Sequence, residues 1–512
     1  MSNGGFIDAQ TLEGELTADV CVIGSGAGGA VTAQVLAAAG LEVIVVEEGG
    51  HRTRPDFKMR EDVAFQQLYE DGGARATKDA AIAILQGRSV GGSTVVNWTT
   101  CFRTPETVLD HWKANHGSTI SLAELMPHYL AVEERLSIAA WPLEESNANN
   151  RLLYEGCKAI GVEVAPTRRN VKRCMKSGYC GMGCPVDAKQ SMIVTYLPDA
   201  VAKGARVVYG LRVDRLDEEA GKIVRARGTA MGGANRYSPT GKLLTIRAKH
   251  FVLSAGAINS PGILLRSGIA GAVGRRTFIH PVVGVAGLFK DPVEPYYGPP
   301  QSIAAHGLAH RTDGIGLFLE AAPLHPMMAS LASSGQGADH LATMRTLPHL
   351  TAHIALVIDG FSAEEPGGTV TLRGSGAPVL DYPIGPRVVE GFRTAMKTLA
   401  RLDLAAGAQS VRTGHDPSIT VRSEADLAKL DALSYEPGRI AIFSAHLMGG
   451  CALGSDPATS VVRPEDLRHH SVENLHVIDG SVFPTSLGVN PQLSIYGLAH
   501  RTATRLASAW KA

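Results

Sequence analysis

The first fifty residues alternate between short apolar stretches and small, flexible residues. Residues 19–24 read Asp-Val-Cys-Val-Ile-Gly, residues 30–39 are rich in Ala and Val without a helix breaker, and residues 43–46 are again apolar. A short apolar run that ends at glycine predicts a buried strand, and an uninterrupted Ala-rich run predicts a helix. The order predicts a strand, a helix and a second strand, the unit from which parallel sheets are built.

Later segments predict a different kind of structure. Residues 353–358 and 368–372 are short, apolar and rich in β-branched side chains, which predicts strands of an antiparallel sheet. Residues 388–399 carry apolar positions at the spacing of a helix. The fold class predicted for the chain is therefore α/β at its start, with an α+β portion built on an antiparallel sheet and helices.

The turn after the first strand consists of six small residues: Gly24, Ser25, Gly26, Ala27, Gly28 and Gly29. Glycines at the first, third and sixth positions, with Glu47 about 20 residues further on, are typical of a dinucleotide site. They permit a tight turn, a close approach to a pyrophosphate and close packing of helix on strand. The pyrophosphate would lie at the helix start, and Glu47 would accept hydrogen bonds from ribose hydroxyls. This pattern alone does not choose between NAD and FAD.

Composition narrows the class of partner. The 512 residues are 45% hydrophobic, so the chain can bury a large core, and its 49 basic and 49 acidic residues cancel. This balance predicts a small-molecule ligand and no nucleic acid. Residues 1–20 are polar and acidic, unlike a secretory leader, and no apolar run reaches the roughly 18 residues of a membrane span. We predict a cytoplasmic protein, with peripheral membrane contact left open.

Two further glycine turns favour FAD. Residues 87–97 contain a glycine pair among small and polar residues, where the backbone can approach a flat or charged ligand. Residues 254–261 follow an apolar strand at 250–253 and could bring another strand end to the same ligand. The candidate cofactor-binding residues in these turns are Arg88, Gly91, Gly92, Ser93, Asn97 and Ala255.

With residues 446–490, these segments resemble the glucose-methanol-choline (GMC) oxidoreductase family over essentially the whole chain. The motifs are most similar to those of long-chain alcohol oxidases and dehydrogenases and of cholesterol-oxidase-like members. One departure is Ala270, where the family's second signature usually has glycine. The resemblance implies FAD as cofactor. It also implies that five more residues contact FAD: Val213 at the adenine, Asp479 and Gly480 near the ribityl chain and pyrophosphate, and Pro491 and Gln492.

His446 and Asn490 are the candidate catalytic pair. Oxidation of an alcohol by a flavin needs the hydroxyl proton removed, and a neutral histidine suits this because its unperturbed pKa of about 6.5 is near working pH. Asn490 could donate a hydrogen bond to the substrate oxygen, a contribution of roughly 3 kcal/mol in comparable sites. The family resemblance implies the same two roles. His446 is one of eighteen histidines, and only its sequence context distinguishes it from the others.

Three cysteines lie close together in the sequence, at Cys174, Cys180 and Cys184. Thiolates at this spacing on a glycine-rich loop could hold a [3Fe-4S] cluster, and iron-sulfur-bearing dehydrogenases of the family have similar spacing. The alternative is that the cysteines serve structural packing or form a disulfide, and the sequence does not choose between this and a cluster. A cluster would favour a dehydrogenase, and its absence would leave oxygen as an acceptor.

Because the cofactor-linked segments are scattered, we expect a discontinuous, Rossmann-like FAD-binding domain with the substrate domain inserted. The predicted FAD-binding ranges are 1–104, 196–290 and 440–512, and the substrate or cap ranges are 105–195 and 291–439. The expected reaction is oxidation of a hydrophobic primary or secondary alcohol, with dehydrogenase favoured over oxidase and a quinone, cytochrome or O2 as acceptor. The alternatives are a hydroxynitrile lyase of the same family, an O2-using alcohol or sterol oxidase, a non-catalytic flavin subunit and an NAD-dependent dehydrogenase.

Overall fold

The structure is a computed structural model and describes residues 5–510. Positions 1–4 and 511–512 of the predicted FAD-binding domain lie outside the described residues, and so does the beginning of the segment 1–20. Among residues 5–510, no helix combines the length and the apolar content needed to cross a membrane.

A mixed sheet carries the predicted nucleotide-binding unit. Its central strands run parallel, and the apolar residues of Val43–Glu47 and of the second half of Glu15–Ile23 are buried, as expected where helices cover both faces of a parallel sheet. An antiparallel hairpin extends one edge, and a short eighth strand pairs in parallel with the longest strand. In spatial order the strands are Phe6–Asp8, Arg206–Tyr209, Val43–Glu47, Glu15–Ile23, Ser238–Leu253, Lys222–Gly232 and Leu211–Glu219, with Leu475–Val477 also on Ser238–Leu253.

An antiparallel sheet forms the second large sheet of the molecule and carries its own hydrophobic core. Helix Pro386–Ala405 packs on it through buried residues that recur at helical spacing, including Phe392, Met396 and Leu399. In spatial order the strands are Thr420–Val421, Ser410–Thr413, Val282–Leu288, His353–Val357, Leu317–Ala321, Ile303–Ala305 and Ala165–Pro166, with Ile442–Ser444 on Val282–Leu288 and Ile82–Ile84 beyond it.

The remaining elements cover the two sheets. Three strand pairs stand apart: Thr277–Phe278 with Met448–Gly449, Thr369–Leu372 with Pro378–Asp381, and Ile138–Ala140 with Arg168–Asn170. The other helices are Ala27–Ala38, Glu61–Leu68, Glu106–His116, Leu122–Arg135, Ala148–Ala159, Tyr196–Ala202, Asn259–Arg266, Pro326–Ala332, Gly337–Arg345 and Gln492–Trp510.

The predicted fold class is confirmed, with corrections to individual elements. The first helix begins at Ala27 rather than residue 30, because Gly28 and Gly29 already have helical backbone. Strand Thr369–Leu372 was expected in the antiparallel sheet, but it pairs with Pro378–Asp381 as a separate hairpin. A hairpin partner close in the sequence satisfies the backbone groups of that strand without the larger sheet.

The domain boundaries drawn from the sequence stay a prediction. Strands Ile82–Ile84, Val282–Leu288 and Ile442–Ser444 come from ranges assigned to the FAD-binding domain, yet they pair within the antiparallel sheet. Helix Leu122–Arg135, from a range assigned to the substrate domain, shares a hydrophobic core with helix Gln492–Trp510. Segments near the predicted boundaries at 104/105, 290/291 and 439/440 therefore pack with the other predicted domain.

Candidate active site

One cavity of about 540 Å³ runs between the two sheets. Its lining includes the turn after the first strand at one end and His446 with Asn490 at the other. The predicted site residues on its wall are Gly24, Ser25, Gly26, Ala27, Gly28, Glu47, Arg88, Gly92, Ser93, Asn97, Val213, Ala255, His446, Asp479, Gly480, Asn490, Pro491 and Gln492. Gly29 and Gly91 stand just behind the wall, and the three cysteines lie elsewhere.

Steric contacts explain the glycines of the first turn. Gly24 has a left-handed φ of 102°, which favours glycine. A Cβ on Gly28 would lie 1.8 Å from the backbone oxygen of Ile478, and one on Gly29 would lie 1.9 Å from that of Gly24. By contrast, a Cβ on Gly26 would meet nothing nearer than 3.8 Å. Gly28 and Gly29 are thus required by the protein's own packing, while Gly26 leaves open space for a ligand.

Glu47 is bound by the same turn. Its Oε2 accepts hydrogen bonds from the hydroxyl and the backbone N–H of Ser25, at 2.6 and 3.2 Å, and its Oε1 accepts from the N–H of Gly49 at 2.8 Å. Burial raises the pKa of Glu47, and these three donors oppose the rise. Ser25 also accepts from the N–H of Gly91 at 2.9 Å, so Gly91 supports the turn from behind.

The segment 87–97 forms another part of the wall. The guanidinium of Arg88 is buried and bonds Glu48 at 3.0 Å and the backbone oxygen of Asn235 at 3.2 Å. Asn97 donates to Gln492 at 2.7 Å, which joins this loop to the start of the last helix. The oxygen of the Asn97 amide, Oδ1, is buried and has no hydrogen-bond partner within residues 5–510. Such an orphaned acceptor is the feature expected where a ligand completes the site.

Asp479 ties the C-terminal part of the site to the turn at 254–261. Its Oδ2 accepts from the N–H of Gly256 at 2.8 Å and from the hydroxyl of Ser260 at 2.6 Å, while Oδ1 accepts from the N–H of Ser481 at 2.8 Å. Burial raises its pKa. These bonds hold the backbone of Ala255 and Gly480 at the cavity wall.

His446 and Asn490 come together although 44 positions separate them. The Asn490 amide nitrogen lies 3.3 Å from His446 Nε2. Burial lowers the pKa of His446 to about 4, so its imidazole is neutral at pH 7. A neutral ring and a carboxamide that share one cavity wall can bind and deprotonate a hydroxyl group.

Three residues behind this pair were not predicted from the sequence: His280, Glu320 and Gln301. His280 Nδ1 lies 3.1 Å from His446 Nδ1, and Glu320 lies next to Asn490 and accepts from Gln301 Nε2 at 2.6 Å. Burial raises the pKa of Glu320 to about 8. The only local signal for His280 is that it directly precedes a proline, which does not distinguish it among eighteen histidines.

The cavity wall near the catalytic pair is apolar. Val282, Ile354, Leu356 and Phe443 line it and come from neighbouring strands of the antiparallel sheet and from strand Ile442–Ser444. These side chains suit the hydrocarbon part of a substrate.

The cysteine segment does not form a metal site in this structure. Cys174, Cys180 and Cys184 are free thiols beside a separate cavity of about 20 Å³. Within residues 5–510, no group of three or more His, Cys, Asp or Glu side chains is arranged to hold a metal ion. The buried ammonium of Lys189 instead bonds the backbone oxygens of Cys180 and Asn97, at 2.6 and 3.0 Å. The residues therefore do not fit the expected [3Fe-4S] cluster, and the loop is held to the cofactor-side wall by Lys189.

Comparisons with known proteins agree with this geometry. Residues 65–282 and 364–499 match the N-terminal and C-terminal family models of the GMC oxidoreductases, and residues 17–58 match an FAD binding domain. The chain is 36% identical to the uncharacterized GMC-type oxidoreductase Rv0492c of Mycobacterium tuberculosis (strain ATCC 25618 / H37Rv), covering 94% of this chain and 74% of the relative. It is 29% identical to the long-chain-alcohol oxidase FAO4A of Arabidopsis thaliana, covering 98% and 69%.

Solved structures share the fold. Pyridoxine 4-oxidase from Mesorbium loti aligns with a TM-score of 0.70 at 18% identity, over 95% of this chain and 99% of that protein. Formate oxidase from Aspergillus oryzae RIB40 aligns with a TM-score of 0.72 at 16% identity, over 97% and 99%.

Proposed function

Because the chain belongs to the GMC oxidoreductase family and carries an FAD-binding domain, we propose that it oxidises a hydrophobic alcohol to the aldehyde or ketone. The observation that carries this proposal is the position of His446 and Asn490 on one wall of the cavity that begins at the glycine turn. Relatives named long-chain-alcohol oxidases, 28–29% identical to the chain, support the same substrate class.

The residues on the cavity wall fit FAD. The turn at Gly24 and Gly26 would hold the pyrophosphate, Glu47 the adenosine ribose, and the backbone of Val213 the adenine. Arg88, Ser93, Asn97, Asp479 and Gln492 would surround the rest of the cofactor. When bound, the flavin supplies an acceptor for the hydride that leaves the carbinol carbon.

The two polar residues at the far end act on the hydroxyl group. We assign proton removal to His446, whose ring is neutral at pH 7, and oxygen binding to Asn490. The apolar side chains of Val282, Ile354 and Leu356 would contact the alkyl chain and exclude water from the reacting carbon. This wall is the reason for proposing an aliphatic alcohol, primary or secondary, rather than a sugar.

The acceptor of the electrons is a separate question. The preference for a dehydrogenase depended on an iron-sulfur cluster, which the cysteine segment does not fit. The proposal therefore uses FAD alone. To distinguish an oxidase from a dehydrogenase, the rate of O2 uptake and the rate of reduction of a soluble quinone are measured with the same alcohol.

Anaerobic titration of the FAD-loaded protein with straight-chain alcohols of increasing length tests the proposal. We expect the flavin absorbance to bleach, and longer chains to bleach it at lower concentrations. A flavin that stays oxidised with every alcohol contradicts the proposal. Release of cyanide from cyanohydrins without bleaching would assign the protein to lyase chemistry instead.

A further inference from the structure

A second histidine, His280, contacts His446 from behind. It follows strand Thr277–Phe278, is fully buried and has a left-handed φ of 43°. Its backbone N–H donates to Asp359 Oδ1 at 3.1 Å, and its ring stands at 77° to that of His446. The backbone and ring of His280 are thus held by groups outside the catalytic pair.

Gly488 determines which nitrogen of His280 carries the proton. The Gly488 N–H can only donate, and it lies 3.1 Å from His280 Nε2, so Nε2 must be the acceptor. Neutral His280 then carries its proton on Nδ1 and donates to Nδ1 of His446, 3.1 Å away. Since His446 Nδ1 accepts, the proton of neutral His446 rests on Nε2, toward Asn490.

This tautomer sets the orientation of the Asn490 amide. In the structure the amide nitrogen faces His446 Nε2 at 3.3 Å, and the amide oxygen has no hydrogen-bond partner within residues 5–510. Because an N–H cannot bond another N–H, an Nε2–H on His446 requires a half-turn of the amide that brings its oxygen to Nε2. The neighbouring Glu320 is fully buried, and burial raises its pKa to about 8, so its carboxyl is protonated at pH 7.

We propose that His280 is a positioning residue for His446: it fixes the ring and selects the tautomer that presents Nε2–H to the cavity in the alcohol-free protein. The inference rests on the proposed function, because it concerns the histidine assigned to the hydroxyl proton. An arriving alcohol first meets His446 as a hydrogen-bond donor to its oxygen.

The proposal sets a condition on proton removal. His446 Nε2 becomes an acceptor only when its proton is on Nδ1, and His280 must then accept through Nδ1 and carry its own proton on Nε2. Water balances the exchange: the Nε2 proton of His446 leaves to water, the Nδ1 proton of His280 passes to Nδ1 of His446, and His280 takes one proton from water at Nε2. Each ring then carries one proton again. It requires the Gly488 N–H to leave Nε2, and Gly488 lies two positions from Asn490 in the same turn.

Nitrogen NMR of the FAD-loaded protein, labelled with 15N-histidine and free of alcohol, tests the assignment directly. Difference spectra against His446→Gln and His280→Asn identify the two rings. We expect His446 to carry its proton on Nε2 and His280 on Nδ1. A proton on Nδ1 of His446 would overturn the proposal and leave alcohol oxidation standing, whereas failure of alcohols to bleach the flavin would leave the tautomer standing.

Two variants of similar size separate positioning from packing. His280→Asn retains an N–H donor near His446 Nδ1, while His280→Asp offers only an acceptor. We expect kcat to differ by about 10-fold or more between the two variants with little change in KM. The Asp variant should be the faster one, because its carboxylate holds the proton of His446 on Nδ1 and leaves Nε2 free to accept. In the Asp variant, the acid limb of the kcat/KM profile should also move to higher pH, because the carboxylate stabilises protonated His446.

The other titratable groups around the pair, His306, Asp359 and Glu320, are the same in both variants. Equal losses in the Asn and Asp variants, with an unmoved acid limb, would mean that His280 only fills space. Should the Asp variant fail to fold, the nitrogen signals of the wild-type protein decide alone.

Discussion

The two ends of the cavity are built in opposite ways. At the nucleotide end, the glycine turn and Glu47 lie within one short stretch of sequence. Backbone contacts with Ile478 and Gly24 leave under 2 Å for a Cβ on Gly28 or Gly29. The catalytic end joins His280, His446 and Asn490 from separate segments through side-chain hydrogen bonds of 3.1–3.3 Å. We therefore expect Gly28 and Gly29 not to tolerate an added methyl group, and the catalytic end to keep its fold when a side chain is shortened.

The ends also differ in how their titratable groups are held. At the nucleotide end, burial raises the pKa of Glu47, and three hydrogen-bond donors oppose that rise. At the catalytic end, burial lowers the pKa values of His446 and His306 to about 4 and raises that of Glu320 to about 8, so all three are neutral at pH 7. These three groups carry no charge at pH 7, which suits a reaction in which a hydride leaves an uncharged alcohol. Asp359 behind His280 is mostly ionised at that pH, because burial raises its pKa only to about 6.

Gly28→Ala gives the largest expected effect and tests the steric half of the comparison. The added methyl group would lie 1.8 Å from the Ile478 oxygen, a backbone atom that cannot move without displacing Asp479. We expect loss of bound FAD and therefore of all activity, measured as flavin absorbance per purified chain. Gly374→Ala adds the same group where nothing lies within 4 Å and should retain FAD. One FAD per chain in the Gly28 variant would refute the packing argument.

His446→Ala should separate chemistry from cofactor binding. Loss of the group that handles the hydroxyl proton should reduce kcat by about 10²–10⁴-fold, while the flavin spectrum stays that of the wild-type protein. Steady-state turnover with the best alcohol and a flavin spectrum measure both. His310→Ala, which changes an exposed histidine, is the control. Near-wild-type turnover in the His446 variant would remove it from the reaction.

Ser25→Ala should weaken the connection between the two cofactor loops. The hydroxyl donates to Glu47 and accepts from Gly91, so its loss leaves a buried N–H without its acceptor and should cost about 1–3 kcal/mol of stability. Urea unfolding of the FAD-loaded protein measures the change. Thr32→Val is the control, because its buried hydroxyl has no hydrogen-bond partner within residues 5–510. Similar losses in both variants would contradict the role of Ser25 as a bridge.

What the sequence could predict follows the same division. The glycine turn and Glu47 were predictable because the glycine spacing and the strand pattern lie in adjacent residues. The contact of Gly28 with the Ile478 backbone was not, because it joins distant parts of the chain. His280 and Glu320 were not, because their importance comes from contacts with residues 166 and 170 positions away (446 − 280 and 490 − 320) that no local pattern records. The helix Glu106–His116 donates from Trp112 to Thr485, 373 positions away, which likewise could not be read from either segment alone.

The smallest expected effect concerns a buried ion pair in the antiparallel sheet, away from the cavity. His353 Nδ1 lies 2.8 Å from Asp403 Oδ1, and both side chains are fully buried. Although burial alone lowers the pKa of His353, the nearby Asp403 charge and two hydrogen bonds raise it above 6.5 overall. A raised pKa stabilises the fold fully below the unfolded value of about 6.5, and this stabilisation is lost as pH rises through the folded value. The free energy of unfolding should therefore fall from pH 6 to pH 9 more in the wild-type protein than in Asp403→Asn, whose carboxamide cannot hold the charge on His353. Parallel pH profiles for the two proteins would show that the pair is neutral in the fold, and that the catalytic half owes its stability to packing rather than to charge.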